Sequence, residues 1–223
     1  FVKLTNGQAS YAFYDENTAG RLIEVEDIPT ISESCEALHF GAISLIPEPC
    51  GSTYEALLMR EKDRRVILLD PNIRPSFIKD KAAHKARIER MAAYADIVKF
   101  SDEDLDWFDL TGSEEQRARH WLDRGAKLVV ITRGAEGAAG YSRNHKVEVP
   151  SYKVDVIDTV GAGDTFDAGI LASLHLQGEL TKEKVANLSE TAIRKALELG
   201  AKAASVTVSR AGANPPFAHE IGL

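Results

Sequence analysis

The stretch Asp158-Thr-Val-Gly-Ala-Gly-Asp-Thr-Phe-Asp-Ala-Gly169 decides the reading of this chain. It follows an apolar alternation at Val154–Asp158 that predicts a strand, and it precedes an apolar-striped segment, residues 165–177, that predicts a helix. Gly161 and Gly163 lack a β-carbon, so the backbone can turn tightly there and an anion can approach the amides. Those amides, at residues 161–164, would face outward at the positive end of a helix starting near Thr165, which makes an anion site. The motif lacks the Gly-Lys-Ser/Thr of a P-loop, and Phe166 stands where a dinucleotide fingerprint needs its third glycine.

What distinguishes this turn is the carboxylate inside it. A passive phosphate cradle gains nothing from Asp164, whose charge repels the ligand, unless that charge does work. Taking a proton from a substrate hydroxyl is such work, because an ordinary carboxylate is ionised at neutral pH and can accept the proton as the transition state forms. Helix capping is the bland alternative for a lone Asp; the paired glycines and the preceding Asp158-Thr159 favour a functional one.

Working outward, short apolar runs alternate with helical periodicity. The predicted strands are Leu38–Leu45, Val66–Asp70, Ile97–Phe100 and Leu128–Thr132. The spacers near 52–65, 79–94 and 114–124 read as helices, the last opened by a Ser113/Gln116 capping box. Continuous apolar strands separated by helices predict a parallel sheet covered on both faces. Ala139–Ser142 and Val147–Val149 around Arg143-Asn144 predict a hairpin, and a final helix is expected over 189–207. At the start, Val2, Leu4, Ala9, Tyr11 and Phe13 alternate around Asn6-Gly7, a β-hairpin signal. The expected division is a β lid over 1–25 and an α/β nucleotide-binding and catalytic domain over 26–223.

Composition narrows the partner. With 223 residues, 44% hydrophobic content and a net charge of −7 spread along the chain, a broad grip on nucleic acid or an anionic membrane is disfavoured. Cys35 and Cys50 form no metal or disulfide pattern, and no run approaches a membrane span. The expectation is a soluble, cytoplasmic protein acting on small molecules. The six histidines show no paired ligand spacing, and Trp107 and Phe108 read as core anchors.

Residues 158–169, with Thr132-Arg-Gly-Ala-Glu-Gly137 upstream and Ser209-Arg-Ala-Gly-Ala-Asn-Pro215 downstream, closely resemble the signature regions of the ribokinase-like (PfkB) carbohydrate kinases. The resemblance runs in family order over nearly the whole chain. It implies a three-layer α/β/α sandwich with a mostly parallel sheet and a β lid, which uses ATP and Mg2+ to phosphorylate a sugar hydroxyl. It makes Asp164 the base and the amides of Gly161, Ala162 and Gly163 the anion hole. Thr132, Arg133, Gly134 and Gly137 fall on the nucleotide loop, and Ala201, within the helix segment 200–204, falls against adenine.

Ser101 and Asp104 take the position where relatives carry Asn and Glu and help hold Mg2+ through water; the residues differ here and match the Ser-Asp-Glu version of fructokinase-like members. Asp158 and the Val160 backbone match a monovalent-cation site, potassium in several relatives, completed by carbonyls near Arg210 and Gly212. Asp70-Pro-Asn-Ile-Arg-Pro75 resembles a segment shared by fructokinases and 2-keto-3-deoxygluconate kinases, and it makes Asn72 and Arg74 substrate- or phosphate-side groups. Acid-sugar members carry a lid Tyr-x-Arg. This chain reads Tyr11-Ala12-Phe13-Tyr14-Asp15 there, so a neutral sugar is expected, fructose first and 2-keto-3-deoxygluconate second, with Arg21 and Arg74 as the cations that would favour the acid. The resemblance also implies a preceding third with a Gly-Gly sugar-binding segment and pairing of two copies through the lid. A regulator that keeps the fold without the activity is the alternative of another class; an intact Gly-Ala-Gly-Asp speaks against it.

Overall fold

The computed structural model describes residues 2–5, 8–11 and 14–223, with side chains from residue 14 onward. Strands β1 (Val2–Thr5) and β2 (Gln8–Tyr11) pair antiparallel with Thr5 opposite Gln8. The Asn6-Gly7 turn, Ala12 and Phe13 lie outside the described residues.

The main sheet has six strands in the order β3 (Ala37–Gly41), β4 (Val66–Asp70), β5 (Ile97–Ser101), β6 (Leu128–Thr132), β7 (Ala138–Tyr141) and β8 (Lys146–Val149). The first three pairings are parallel and the last two antiparallel. Successive strand residues point to opposite faces, and here both faces are covered. Ile67, Leu69, Val98, Phe100, Val129 and Ile131 pack on one side; Val66, Leu68, Ile97, Leu128 and Val130 pack on the other. That is why these strands read as unbroken apolar runs.

Helices α1 (Cys50–Glu61), α2 (Lys81–Ala92), α3 (Asp102–Trp107) and α4 (Glu114–Arg124) supply Leu58, Ile88, Met91, Leu105, Trp121 and Leu122 to the first layer. On the second, α5 (Ala162–Leu176) and α7 (Glu190–Val208) supply Phe166, Ile170, Leu174, Ile193, Ala196 and Leu197; the short α6 (Lys182–Val185) adds Val185. Each large apolar side chain so buried is worth about 1.5–3 kcal/mol. The expected three-layer α/β/α arrangement is present. The Ser113/Gln116 capping box is also formed, Gln116 N donating to Ser113 Oγ at 3.3 Å and Ser113 N to Gln116 Oε1 at 2.8 Å.

Three expectations change. The strand read through Leu45 stops at Gly41, because Ala42 takes a positive φ of 60° and turns the chain into a 3-10 segment, Ala42–Leu45. Residues 154–158 join no ladder. Val156 and Ile157 are 63% and 65% exposed, and the amides of Ile157 and Asp158 both donate to the Val208 carbonyl, at 2.8 and 3.2 Å. Alternating valines there face a cavity instead of a neighbouring strand. Finally, α5 begins at Ala162, a turn before Thr165. Gly161 is its N-cap with φ 78°, a left-handed conformation that glycine adopts freely, and its carbonyl accepts the first helical bond from Thr165 N at 2.9 Å.

Candidate active site

The first turn of α5 is the wall between two cavities. On one side a cavity of about 270 Å³ is lined by Asp164 together with His39, Ser44, Tyr54, Asp70 and Asn72. On the other, a more apolar cavity of about 540 Å³ is lined by Thr132, Gly134, Gly137, Ala162, Gly163 and Ala201, among others. The carboxylate therefore opens toward one chamber and Ala162 and Gly163 toward the other, while Gly161 lines neither.

Asp164 is exposed at the third helical position. Helix geometry leaves the first amides without intrahelical partners. Among the described residues none accepts from the amides of Gly161, Gly163 or Asp164, whereas Ala162 N reaches the Thr159 carbonyl at 3.3 Å. The turn thus has donors to offer an anion, with Ala162 the one already engaged. Thr132 ends β6 at the rim of the larger cavity, with its Oγ1 donating to the Phe100 carbonyl at 3.4 Å.

Not every residue marked from the sequence faces these chambers. The Arg133 guanidinium is held by both oxygens of Glu114 and by Glu148 at 3.1 Å, and it does not line the larger cavity. Its fork is occupied by carboxylates, so it pins the loop to α4 instead of facing the cavity. Asp104 is 4% exposed: Oδ1 accepts from Ile73 N at 2.7 Å and Oδ2 from Ser101 N at 3.1 Å, while Ser101 Oγ accepts from Asp104 N at 3.0 Å. This pair is a reciprocal capping box that anchors the segment after β4, with both carboxylate oxygens engaged by backbone amides.

Asp158 also ties backbone together. Val160 N donates to Oδ1 at 3.0 Å and Gly212 N to Oδ2 at 2.9 Å, and these two amides hold its carboxyl below the ordinary range. The tie brings together the two segments expected to form a monovalent-cation site, although the Gly212 carbonyl already accepts from Asn214 N at 2.8 Å. Asn72 lines the smaller cavity at a positive φ of 42°, its N–H bonded to Asp70 Oδ1 at 3.0 Å. Arg74 does not line that cavity, and its Nη1 donates to the Ile73 carbonyl at 3.0 Å. Asp15 pairs with Arg21 at 2.9 Å, and both line a separate cavity. The negative charge of Asp15 is therefore offset by Arg21 and lies in a cavity that Asp164 does not line.

Sequence reasoning missed the charged group beneath the site. Lys99 Nζ lies 2.9 Å from Asp70 Oδ2, and both side chains are nearly inaccessible. Asp70 and nearby Asp167 keep the lysine charged despite its burial. Asp167 has no exposed surface, and His39 Nε2 lies 3.4 Å from its Oδ2. The available signals were polar residues inside otherwise apolar strands, Lys99 within Ile97–Ser101 and Asp70 closing Val66–Asp70.

Comparison with known proteins fits this geometry. Residues 1–220 match the family described as pfkB family carbohydrate kinase. A fructokinase of Rhizobium leguminosarum bv. trifolii is 70% identical over 194 residues, 87% of this chain and 60% of the relative. A probable chloroplastic fructokinase-6 of Arabidopsis thaliana is 34% identical over 224 residues, 96% of this chain and 56% of the relative. The chain therefore spans about 60% of the length of these relatives. Among solved structures, a Xylella fastidiosa fructokinase with bound ATP superposes at a TM-score of 0.83 with 26% identity, covering 96% of this chain and 67% of that one. A double mutant of the Vibrio cholerae O395 fructokinase in its fructose, ADP and potassium ion bound form superposes at 0.75 with 28% identity, covering 86% and 60%. On motif order, fold and sequence identity together, the chain belongs to the pfkB family of carbohydrate kinases.

Proposed function

We propose that this chain is the nucleotide-binding and phosphoryl-transfer part of a fructokinase, with residues 1–25 acting as a lid element over the body 26–223. The observation that supports it best is the position of Asp164 at the wall between the two cavities. A sugar hydroxyl in the smaller cavity would face the carboxylate, while ATP in the larger one would direct its terminal phosphate at the amides of the glycine turn.

In this reading Asp164 accepts the hydroxyl proton as the oxygen attacks phosphorus, and the amides of Gly161 and Gly163 stabilise charge on the transferring group. Thr132, Gly134 and Gly137 border the phosphates, and Ala201 the base. Magnesium would travel with the nucleotide, with Ser101 and Asp104 near it only through water, and no step is assigned to a protein-bound ion. Potassium near Asp158 and Val160 is part of the proposal, supported by the tether to Gly212 and by the ion named with the Vibrio cholerae structure. The Asp15–Arg21 pair keeps 2-keto-3-deoxygluconate as the second substrate reading.

The test is ADP release by the full-length gene product with fructose, ribose and 2-keto-3-deoxygluconate. Turnover with fructose is expected, and replacing Asp164 with Ala should lower kcat by at least about 100-fold with ATP affinity nearly unchanged. Near-normal turnover in that variant would remove Asp164 as base, and turnover on the acid sugar alone would replace the substrate.

A further inference from the structure

Arg133 belongs to the loop that borders the larger cavity, yet it does not line that cavity itself. Its Nε and Nη2 donate to the two oxygens of Glu114, at 2.7 and 2.5 Å, and Nη2 also reaches Glu148 at 3.1 Å. The Tyr141 hydroxyl donates to the same Glu114 Oε1 at 2.6 Å, from a residue only 4% exposed. These four side chains come from the start of α4, the end of β7, β8 and the loop after β6. A lone exposed ion pair contributes little, but a planar two-point grip on a carboxylate that a third donor also holds fixes geometry.

What this grip holds is the face of the loop that meets the cavity, where Thr132, Gly134, Ala135 and Gly137 form the lining. Arg133 N donates to the Gly137 carbonyl at 2.8 Å, and Glu136 N donates to the Arg133 carbonyl at 3.0 Å. The loop therefore closes on the backbone of the very residue whose side chain is clamped. Among the described residues nothing accepts from the amides of Gly134 and Ala135, and a β-carbon on Gly134 would meet no atom within 4 Å. The loop thus offers two free donors beside open space. Ordering such a loop only when an anion binds costs affinity, and a clamp already in place removes that cost.

We propose that Arg133 is a positioning residue for the nucleotide, acting through Glu114 and Tyr141: its guanidinium holds the loop from behind, so that the Gly134 and Ala135 amides are set for an oligophosphate before it arrives. Glu114, on a helix that lines neither cavity of the site, becomes a determinant of ATP affinity. This rests on the kinase reading above, in which the larger cavity takes ATP. A guanidinium that touched the phosphates itself would depend on Glu114 in the opposite sense, since removing the carboxylate would free it for the ligand.

Steady-state kinetics of the full-length gene product test it, with ATP and sugar varied separately. Glu114→Ala and Arg133→Met should each raise the ATP KM about tenfold, with the sugar KM unchanged and kcat within about threefold. Tyr141→Phe, which removes one donor to Glu114, should raise the ATP KM about threefold. Arg90 is the control: it forms a like fork with Glu55, at 2.7 and 3.0 Å, between α2 and α1. Arg90→Ala should leave the ATP KM as in wild type, which separates clamping of the loop from the general loss of an ion pair. An ATP KM unchanged or lowered in Glu114→Ala overturns the inference, as does an equal rise in Arg90→Ala. Should Glu114→Ala fail to fold, Glu114→Gln keeps the shape, loses the charge and decides by the same criterion. If the wild-type protein releases no ADP with any sugar, the kinase reading fails and this inference with it; an active wild type whose Glu114 variant keeps a normal ATP KM sinks the inference only.

Discussion

The ammonium of Lys99 packs directly under Gly163: a β-carbon at position 163 would stand 3.1 Å from Nζ and 3.9 Å from Asp70 Oδ2. The lysine cannot swing aside, since it is buried and bonded to Asp70. Gly163→Ala should therefore strain the first turn of α5, lowering stability by about 1–3 kcal/mol. It should also reduce phosphoryl transfer by displacing the donors next to Asp164. Urea unfolding and ADP release of the full-length gene product read the two effects.

Lys99 and Asp70 depend on each other. Removing one member of a buried ion pair leaves the other charge uncompensated, which costs about 3–5 kcal/mol. Lys99→Met should show that loss as a lower denaturation midpoint, and Asp70→Asn/Lys99→Met should recover a good part of it. A double variant no more stable than Lys99→Met would contradict the pairing.

Asp167 makes stability depend on pH in the direction opposite to most carboxylates. Its folded pKa lies well above the ordinary 3.8, so above that value the unfolded chain releases a proton that the folded chain keeps. The contribution is intact below pH 3.8 and declines as pH rises toward the folded pKa, by about 1.4 kcal/mol per unit. Asp167→Asn abolishes the decline. The variant should melt higher than wild type at pH 7 and close to wild type near pH 4, as thermal unfolding across that range would show.

Helices α5 and α7 touch through glycine. A β-carbon on Gly169 would lie 2.6 Å from the Gly200 Cα, which is backbone and has no alternative rotamer. Gly169→Ala should force the helices apart and cost about 1–3 kcal/mol, or roughly 2–4 °C of melting temperature per kcal/mol in a chain of this size. Calorimetry on the variant checks it.

Much of the molecule was legible because its signals are local. Val66–Asp70 and Leu128–Thr132 are continuous apolar runs, and both are strands in the structure. Ser113 and Gln116 form their box within one helical turn. Residues 154–158 misled because alternation reports only that one side is apolar: the valines face a cavity, and no neighbouring strand offers a ladder. The early stop at Gly41 depended on the positive φ of Ala42, which an alanine does not advertise.

The sequence by itself determined the layered sheet, the glycine turn and the carboxylate set within it, since periodicity and motif spacing follow from the chain's own covalent order. Only the tertiary structure decided that Arg133 and Asp104 are taken up by internal partners, that Asp164 lies between two chambers, and that the buried Asp70, Lys99 and Asp167 gather beneath the partly exposed His39. Those four sit on three strands and a helix far apart in sequence, and whether a charge meets a partner or a void is settled by which surfaces packing brings together.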